Sequence, residues 1–233
     1  MPAYNAAKTL TSTIRRIPPL KGLPYKIYII DDGSTDNILN EVHTLQAQHV
    51  HEIVLIRHAC NQGYGAAQKS GIAASLQDGN EYHIVLHADG QYAPEEIPLL
   101  LGPLIQKTAD VVIGSKFLKG HVLKQGMPFM RMLGLRLMDL LENRWFGYTD
   151  MEFHSGYMSY SISALQLLPY RSFTDKYHFD GSMVIWAAAH GLRIEKVPIT
   201  TSYAKDSTRL SVLPYLIEII QCVVNFKKNT TKV

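Results

Sequence analysis

Three short polar runs carry residue types and spacings that could do chemistry. Asp31-Asp32-Gly33-Ser34-Thr35-Asp36 places two adjacent carboxylates behind an apolar run, Tyr25–Ile30. Such carboxylates can accept hydrogen bonds from a base or a ribose, and Ser34 or Thr35 can cap a following helix. A capped strand-to-helix turn would read the same way. Two like charges side by side are costly unless cations or hydrogen-bond donors meet them. His87-Ala88-Asp89-Gly90-Gln91 follows another apolar run, Tyr82–Leu86. His87 and Asp89 alternate by two and so face one side of a continuing strand. A carboxylate and an imidazole there can hold Mn²⁺ or Mg²⁺, to be completed by a diphosphate. A tight turn with Gly90 at positive φ is the competing reading. The third run, Asn61-Gln62-Gly63-Tyr64-Gly65-Ala66-Ala67, only partly matches a dinucleotide fingerprint, because Gln68 stands where the third glycine belongs. Its small residues equally suit close helix–sheet packing. Lys69, one turn further on, either reaches a phosphate or is simply solvated.

All three runs end predicted strands. Strands are expected at 25–30, 52–57, 82–86 and 110–114, separated by helical stretches through Leu45, to about Leu76, and over 95–107. This alternation means βαβ units and a mostly parallel sheet. Right-handed crossovers bring the strand C-termini to one edge, where open α/β sheets bind ligands. The second half is less regular: a loop over 116–126, a helix over 129–145, a polar stretch over 149–156, a strand or helix over 157–168, a helix over 181–190, a strand over 192–199 and an amphipathic helix over 212–226. One domain is expected, with a regular half over 1–115, a less regular half over 116–226 and a frayed tail over 227–233.

Composition sets bounds. The 233 residues, 46% hydrophobic and 18% charged, can bury a core without disulfides. A net charge of +3 suits anionic ligands without demanding nucleic acid. Cys60 and Cys222 form neither a disulfide framework nor a metal motif, which points to a reducing compartment. No apolar stretch is long enough to span a membrane, and Met1-Pro2-Ala3-Tyr4-Asn5 does not open a signal peptide. A cytoplasmic protein, on the cytoplasmic face of a membrane if membrane-bound, is the expectation.

In order along the chain, the motifs resemble those of the GT-A glycosyltransferases of family 2, the group that includes dolichyl- and polyprenyl-phosphate sugar synthases. Pro2-Ala3-Tyr4-Asn5 is similar to that family's P-x-Y-N, Asp31–Asp36 to D-D-G-S-T-D and Asn61–Ala67 to N-x-G-x-G-x-A. His87–Gln91 falls where the family has D-x-D-x-Q, and Asp110–Lys116 resembles D-V-V-x-G-S-R. Glu152-Phe153-His154-Ser155-Gly156-Tyr157 with Tyr160-Ser161, Phe179-Asp180 and Val197-Pro198-Ile199 resemble a subgroup that carries His at the first metal-motif position.

The resemblance implies a GT-A (Rossmann-like) fold, a UDP-, GDP- or dTDP-sugar donor, Mn²⁺ or Mg²⁺, and inverting transfer to a lipid phosphate or growing glycan. It places Pro2, Ala3, Tyr4, Asp31, Asp32, Gly65, Lys69 and Ala88 at the nucleotide, and Asp89 with His87 at the metal. Gln91 and Lys116 fall on the donor and acceptor side. Glu152 is the implied general base, with Asp150 as its substitute and His154 orienting acceptor or pyrophosphate. Lys116, Lys119, Lys124, Arg131 and Arg136, interleaved with Met127, Phe129, Met130 and Leu133, are expected either to give peripheral membrane contact or to form a solvated helix face with an apolar core side. The sequence departs from the family pattern at Ala6, where an acid is usual, and at Met158, where an arginine is usual. Residues 2–5 resemble a loop that follows a first strand, so that strand is expected to be missing and the chain less stable without it. A non-catalytic nucleotide- or sugar-binding remnant is the competing reading. An NAD-dependent enzyme is disfavoured by the missing third glycine.

Overall fold

The computed structural model describes residues 1–20, 22–48, 52–120, 122–203 and 212–230. Among the described residues seven strands run in chain order: β1 (Pro2–Ala3), β2 (Lys26–Asp31), β3 (Glu52–Arg57), β4 (Tyr82–Ile84), β5 (Val111–Ser115), β6 (Met158–Ser161) and β7 (Ile194–Pro198). Eight α-helices of the described residues flank them: α1 (Ala7–Arg15), α2 (Ile38–Ala47), α3 (Tyr64–Gln77), α4 (Ile97–Ile105), α5 (Phe129–Phe146), α6 (Ile162–Leu167), α7 (Phe179–Ala189) and α8 (Val212–Thr230). The strands form two sheets, ordered β1-β2-β3 and β4-β6-β5-β7. All pairs are parallel except those made by β6, which is antiparallel to β4 and β5.

β2 is apolar on both faces because both are covered. On one side Ile27 and Ile29 join Leu10 and Ile14 of α1, Val42 and Leu45 of α2, and Leu100 and Leu104 of α4. On the other, Tyr28 and Ile30 pack on Ala67 of α3. A second core sets Val111, Ile113 and Met158 against Phe179, Met183 and Val184 of α7. Helix α1, not anticipated above, is signalled by Leu10, Ile14 and Ile17, which share one buried helical face.

Two expectations need correction. Residues 157–168 are both a strand and a helix, β6 running into α6, with Ser161 capping the turn by accepting the Ala164 N–H. Helix α8 continues past Lys227 to Thr230, while 231–233 lie outside the described residues.

The N-terminus is a third, partial correction. Pro2–Ala3 is not a loop but a two-residue strand, in register with Ile30 and Asp31. The Ile30 N–H donates to Met1 O at 2.9 Å, and the Met1 amine donates to Tyr28 O at 2.7 Å. Ala88 N–H reaches Pro2 O at 3.4 Å, linking β1 to the turn that follows β4. Behind Met1 the sheets part around a groove of about 500 Å³ between Lys26–Tyr28 of β2 and Tyr82–Val85.

Candidate active-site cleft

A cleft of about 710 Å³ opens at the C-terminal ends of β1 and β2 and above the His87–Gln91 turn. Pro2, Ala3 and Ala88 form its floor, with Tyr4, Asp32 and Asn61 along one side. Tyr4 is half exposed at the rim. Asp89 and Gln91 also line it, and Asp89 is exposed, with Oδ1 accepting the Gln91 N–H at 2.9 Å. A free-standing carboxylate at the ligand edge of a sheet is the arrangement expected of a cation-binding group.

The opposite wall is a hydrogen-bonded set joining distant parts of the chain. Tyr64 OH donates to Asp180 Oδ2 at 2.7 Å and lies 2.9 Å from His87 Nε2. Gln68 Nε2 donates to Tyr64 OH at 2.7 Å and to Asp180 Oδ1 at 3.1 Å. With Asp180 ionised the hydroxyl's one proton goes to it, and His87 then donates from Nε2 and keeps its lone pair on Nδ1. Burial lowers the His87 pKa, so the ring is neutral. Gly156 lets that ring close up: a Cβ there would sit 2.8 Å from His87 Nε2. Burial also pushes the Asp180 carboxyl up to about 7.

Cations line the cleft too. Lys116, Arg131 and Lys176 reach it, and Arg131 stacks 5.2 Å from the centre of the Tyr203 ring. Lys116 is buried, and its ammonium donates to His154 O at 2.6 Å. Burial lowers its pKa, opposed by the charges of Glu152 and Asp139.

The expected site residues therefore divide. Pro2, Ala3, Tyr4, Asp32, His87, Ala88, Asp89, Gln91, Lys116 and His154 all line one cleft. Asp31 does not: it is buried, with Oδ1 accepting the Ser34 N–H at 2.9 Å and Oδ2 3.2 Å from Arg57 Nε. Asp32, although at the cleft, is held by His58 Nδ1 at 2.6 Å and by the N–H groups of Gln62 and Gly63. The pair of aspartates is thus met by an arginine, a histidine and backbone donors, as the cost of adjacent charges requires.

Gly65 and Lys69 turn away from any phosphate. The segment 173–175 lies over them, and a Cβ at Gly65 would come within 2.3 Å of Thr174 O. Lys69 donates to Phe173 O and Asp175 Oδ1, at 2.6 and 2.7 Å. Gly65 is therefore a packing position, while Asn61, Gly63, Tyr64 and Ala67 of the same run line the cleft. Asp150 is on the surface, paired with Lys196 at 2.5 Å, and does not line the cleft. Glu152 is buried one layer behind Phe153 and His154, which do line it, and its Oε1 has no hydrogen-bond partner among the described residues. Two carboxyls face the cleft from this half, Asp180, whose Phe179-Asp180 motif was quoted above without a role, and Glu218 of α8. Tyr64 of the glycine run and Arg131 of the basic run also line it, as do Lys176 and Tyr215, which nothing in their local sequence marks.

Comparison with known proteins places this arrangement. The chain is 28% identical over 219 residues to a UDP-N-acetylglucosamine–dolichyl-phosphate N-acetylglucosaminyltransferase of Methanococcus voltae, covering 89% of this chain and 86% of that one. It is 29% identical over 202 residues to an undecaprenyl-phosphate mannosyltransferase of Micrococcus luteus, covering 86% and 81%. Its fold superposes with a TM-score of 0.65, at 20% identity and over 96% of this chain and 76% of the other, on glucosyl-3-phosphoglycerate synthase of Mycobacterium tuberculosis in complex with Mn²⁺, UDP-glucose and phosphoglyceric acid. The glycosyl transferase family 2 model matches residues 1–168, and the chain belongs to that family of glycosyltransferases.

Proposed function

We propose that the cleft transfers a sugar from a nucleoside-diphosphate sugar to a lipid phosphate, with inversion at the anomeric carbon. The observation that carries this reading is the cleft itself: an exposed Asp89 at the strand edge, with Lys116, Arg131 and Lys176 gathered around one cavity. Both curated relatives named above carry polyprenyl- or dolichyl-phosphate in their names.

The nucleoside lies over Pro2, Ala3 and Tyr4, with Asp32 at its side. Arg131 and Lys176 meet the phosphates and the acceptor by charge-assisted hydrogen bonds. The acceptor oxygen attacks the anomeric carbon, and the electron pair of the breaking bond leaves with the nucleotide phosphate. Asp89 fits a divalent cation by its exposed carboxylate, and His87 fits only through Nδ1, since Nε2 is committed to Tyr64. When bound, such an ion offsets the charge that develops on the leaving diphosphate. A phosphate acceptor is already ionised and needs no base. For a hydroxyl acceptor, Asp180 is the carboxyl placed to take the proton, while Glu152 supports Lys116 from behind.

Membrane contact is supported by part of the expected surface, Met130, Leu133 and Arg136, and by more of α5. Lys116 is buried, and Lys119 is paired with Glu96 at 2.5 Å. Helix α5 instead presents Met130, Leu133, Leu137 and Leu140, between 50% and 73% exposed and at helical spacing, with Arg136 and Arg144 exposed beside them. A basic, apolar helix face of this kind lies in a lipid interface. No helix among the described residues is long and apolar enough to cross a membrane.

The deciding experiment incubates the protein with Mn²⁺, polyprenyl phosphate and radiolabelled UDP-, GDP- or dTDP-sugars in turn. Label is expected in the lipid phase with one of them. Binding of a nucleotide sugar without transfer or hydrolysis would favour the non-catalytic reading, and binding of none would overturn both.

A further inference from the structure

Behind the cleft, α5 carries Asp139 and Glu142 three residues apart, and so on one helical face. Asn143 ties the loop before His154 to the same helix, donating to Met151 O at 2.9 Å and accepting the Met151 N–H at 3.0 Å. This brings His154 Nε2 to 2.8 Å from Glu142 Oε2 and 3.7 Å from Asp139 Oδ1. One ligand atom from each of the three residues lies within 4.8 Å of the others. All three side chains are at most 9% exposed.

We propose that Asp139, Glu142 and His154 form a zinc site, distinct from the Asp89 position and going beyond the glycosyltransferase reading. Three observations carry it. First, Glu142 Oε2 and His154 Nε2 are buried and lack a hydrogen-bond partner, although they lie 2.8 Å apart. Without a proton between them, two acceptor lone pairs at that separation repel, and a cation between their axes relieves that repulsion. Second, the spacings suit the ion. Zinc bonds of about 2.1 Å in tetrahedral geometry put ligand atoms about 3.4 Å apart, between the two measured values.

Third, each ligand has its outer partner. His154 Nδ1 lies 2.7 Å from Tyr215 OH, and with the Nδ1 proton given to that oxygen, Nε2 keeps its lone pair. Glu142 Oε1 meets His178 Nε2 at 2.7 Å, and Asp139 Oδ1 accepts the Phe153 N–H at 3.0 Å. Ligating histidines and carboxylates are held in this way by a second layer of hydrogen bonds. The local charge agrees: Asp139, Glu142, Glu152 and Glu218 are all buried, against Lys116 and His178. A divalent cation supplies what that balance lacks. His154 lines the cleft, so a fourth, exchangeable ligand can enter from there.

The test reads metal content, not activity. The full chain is stripped with chelator, refilled with Zn²⁺, desalted and analysed by plasma mass spectrometry, and a Co²⁺-loaded sample is examined in the visible range. Wild type and Asp89→Asn are each expected to retain about one equivalent, with the intense visible band of tetrahedral Co²⁺. Glu142→Gln and Asp139→Asn are expected to lose both, with circular dichroism confirming that each remains folded. Should either variant not fold, the other and the wild-type cobalt spectrum decide. A wild type that holds no zinc or shows only octahedral cobalt overturns the proposal. So does loss of metal in Asp89→Asn with retention in Glu142→Gln, which would assign the ion to the cleft. Failure here leaves the transfer assay above unaffected, so the two readings fall separately.

Discussion

Blocking the α-amine of Met1 should stabilise the 233-residue chain, by an amount that depends on pH in a defined way. The amine donates to Tyr28 O at the mouth of the groove between the sheets. Burial there lowers its pKa from 8.0 to about 5. The folded state therefore holds the amine neutral where the unfolded chain binds a proton. Between pH 5 and 8 the unfolded state has more protons bound, so stability rises with pH across that window. One pKa unit corresponds to about 1.36 kcal/mol, so the penalty is about 1.4 kcal/mol at pH 7 and roughly 4 kcal/mol at pH 5, and it vanishes above pH 8. N-acetylation removes the titration and keeps an N–H for Tyr28 O, and the groove has room for the acetyl group. With a urea m-value of about 2.5 kcal/mol/M, the midpoint should rise by ~0.5 M at pH 7, by ~1.5 M at pH 5, and not at all at pH 9. An apolar strand fused ahead of Met1 should show the same pH-dependent gain, plus a pH-independent one from filling the groove and pairing the edge of β2 beyond Tyr28. Equal midpoints for the acetylated and free chains at pH 5 would refute the reasoning and show the amine to be solvated.

Further outcomes are expected at the cleft. Asp89→Asn should weaken nucleotide binding in Mn²⁺ but not in its absence, as read by calorimetry. Asp180→Asn should remove a stability loss that grows from about pH 4 to about pH 7. The native carboxyl, raised to about 7, stays protonated there while the unfolded one ionises, and urea midpoints at pH 4.5 and 7.5 measure the difference, up to about 4 kcal/mol. If a hydroxyl acceptor is used, the same variant should lower kcat by a factor on the order of 10²–10⁴, whereas Glu152→Gln should act through Lys116 and change KM more than kcat. Leu133→Glu with Leu137→Glu on α5 should abolish sedimentation with anionic liposomes and leave the melting temperature unchanged.

Much of this was legible in the residues. Apolar runs bounded by turn residues mark β2, β3, β4 and β5, because strands covered on both faces must be hydrophobic throughout. The polar runs at their ends mark the ligand edge, because a parallel sheet brings those ends together. Pro2, Tyr4, Asp32, Ala88 and Asp89 meet in the cleft for that reason. What a local run cannot show is which partner a side chain meets across the fold. Asp31 and Asp32 look alike in the sequence, but Arg57 takes one into the interior and His58 and the Gln62–Gly63 backbone take the other to the cleft. Lys69 and Gly65 face a chain segment more than a hundred residues away, which decides between phosphate and packing. Asp180, Tyr64 and His87 become one hydrogen-bonded wall only when α7 docks on α3. Asp139 and Glu142 look like polar positions on an amphipathic helix until the turn before His154 closes over them. The period of a strand or helix is a property of neighbours in the chain and can be read there; a proton's position, a charge's partner and a metal's ligands depend on distances that only tertiary packing sets.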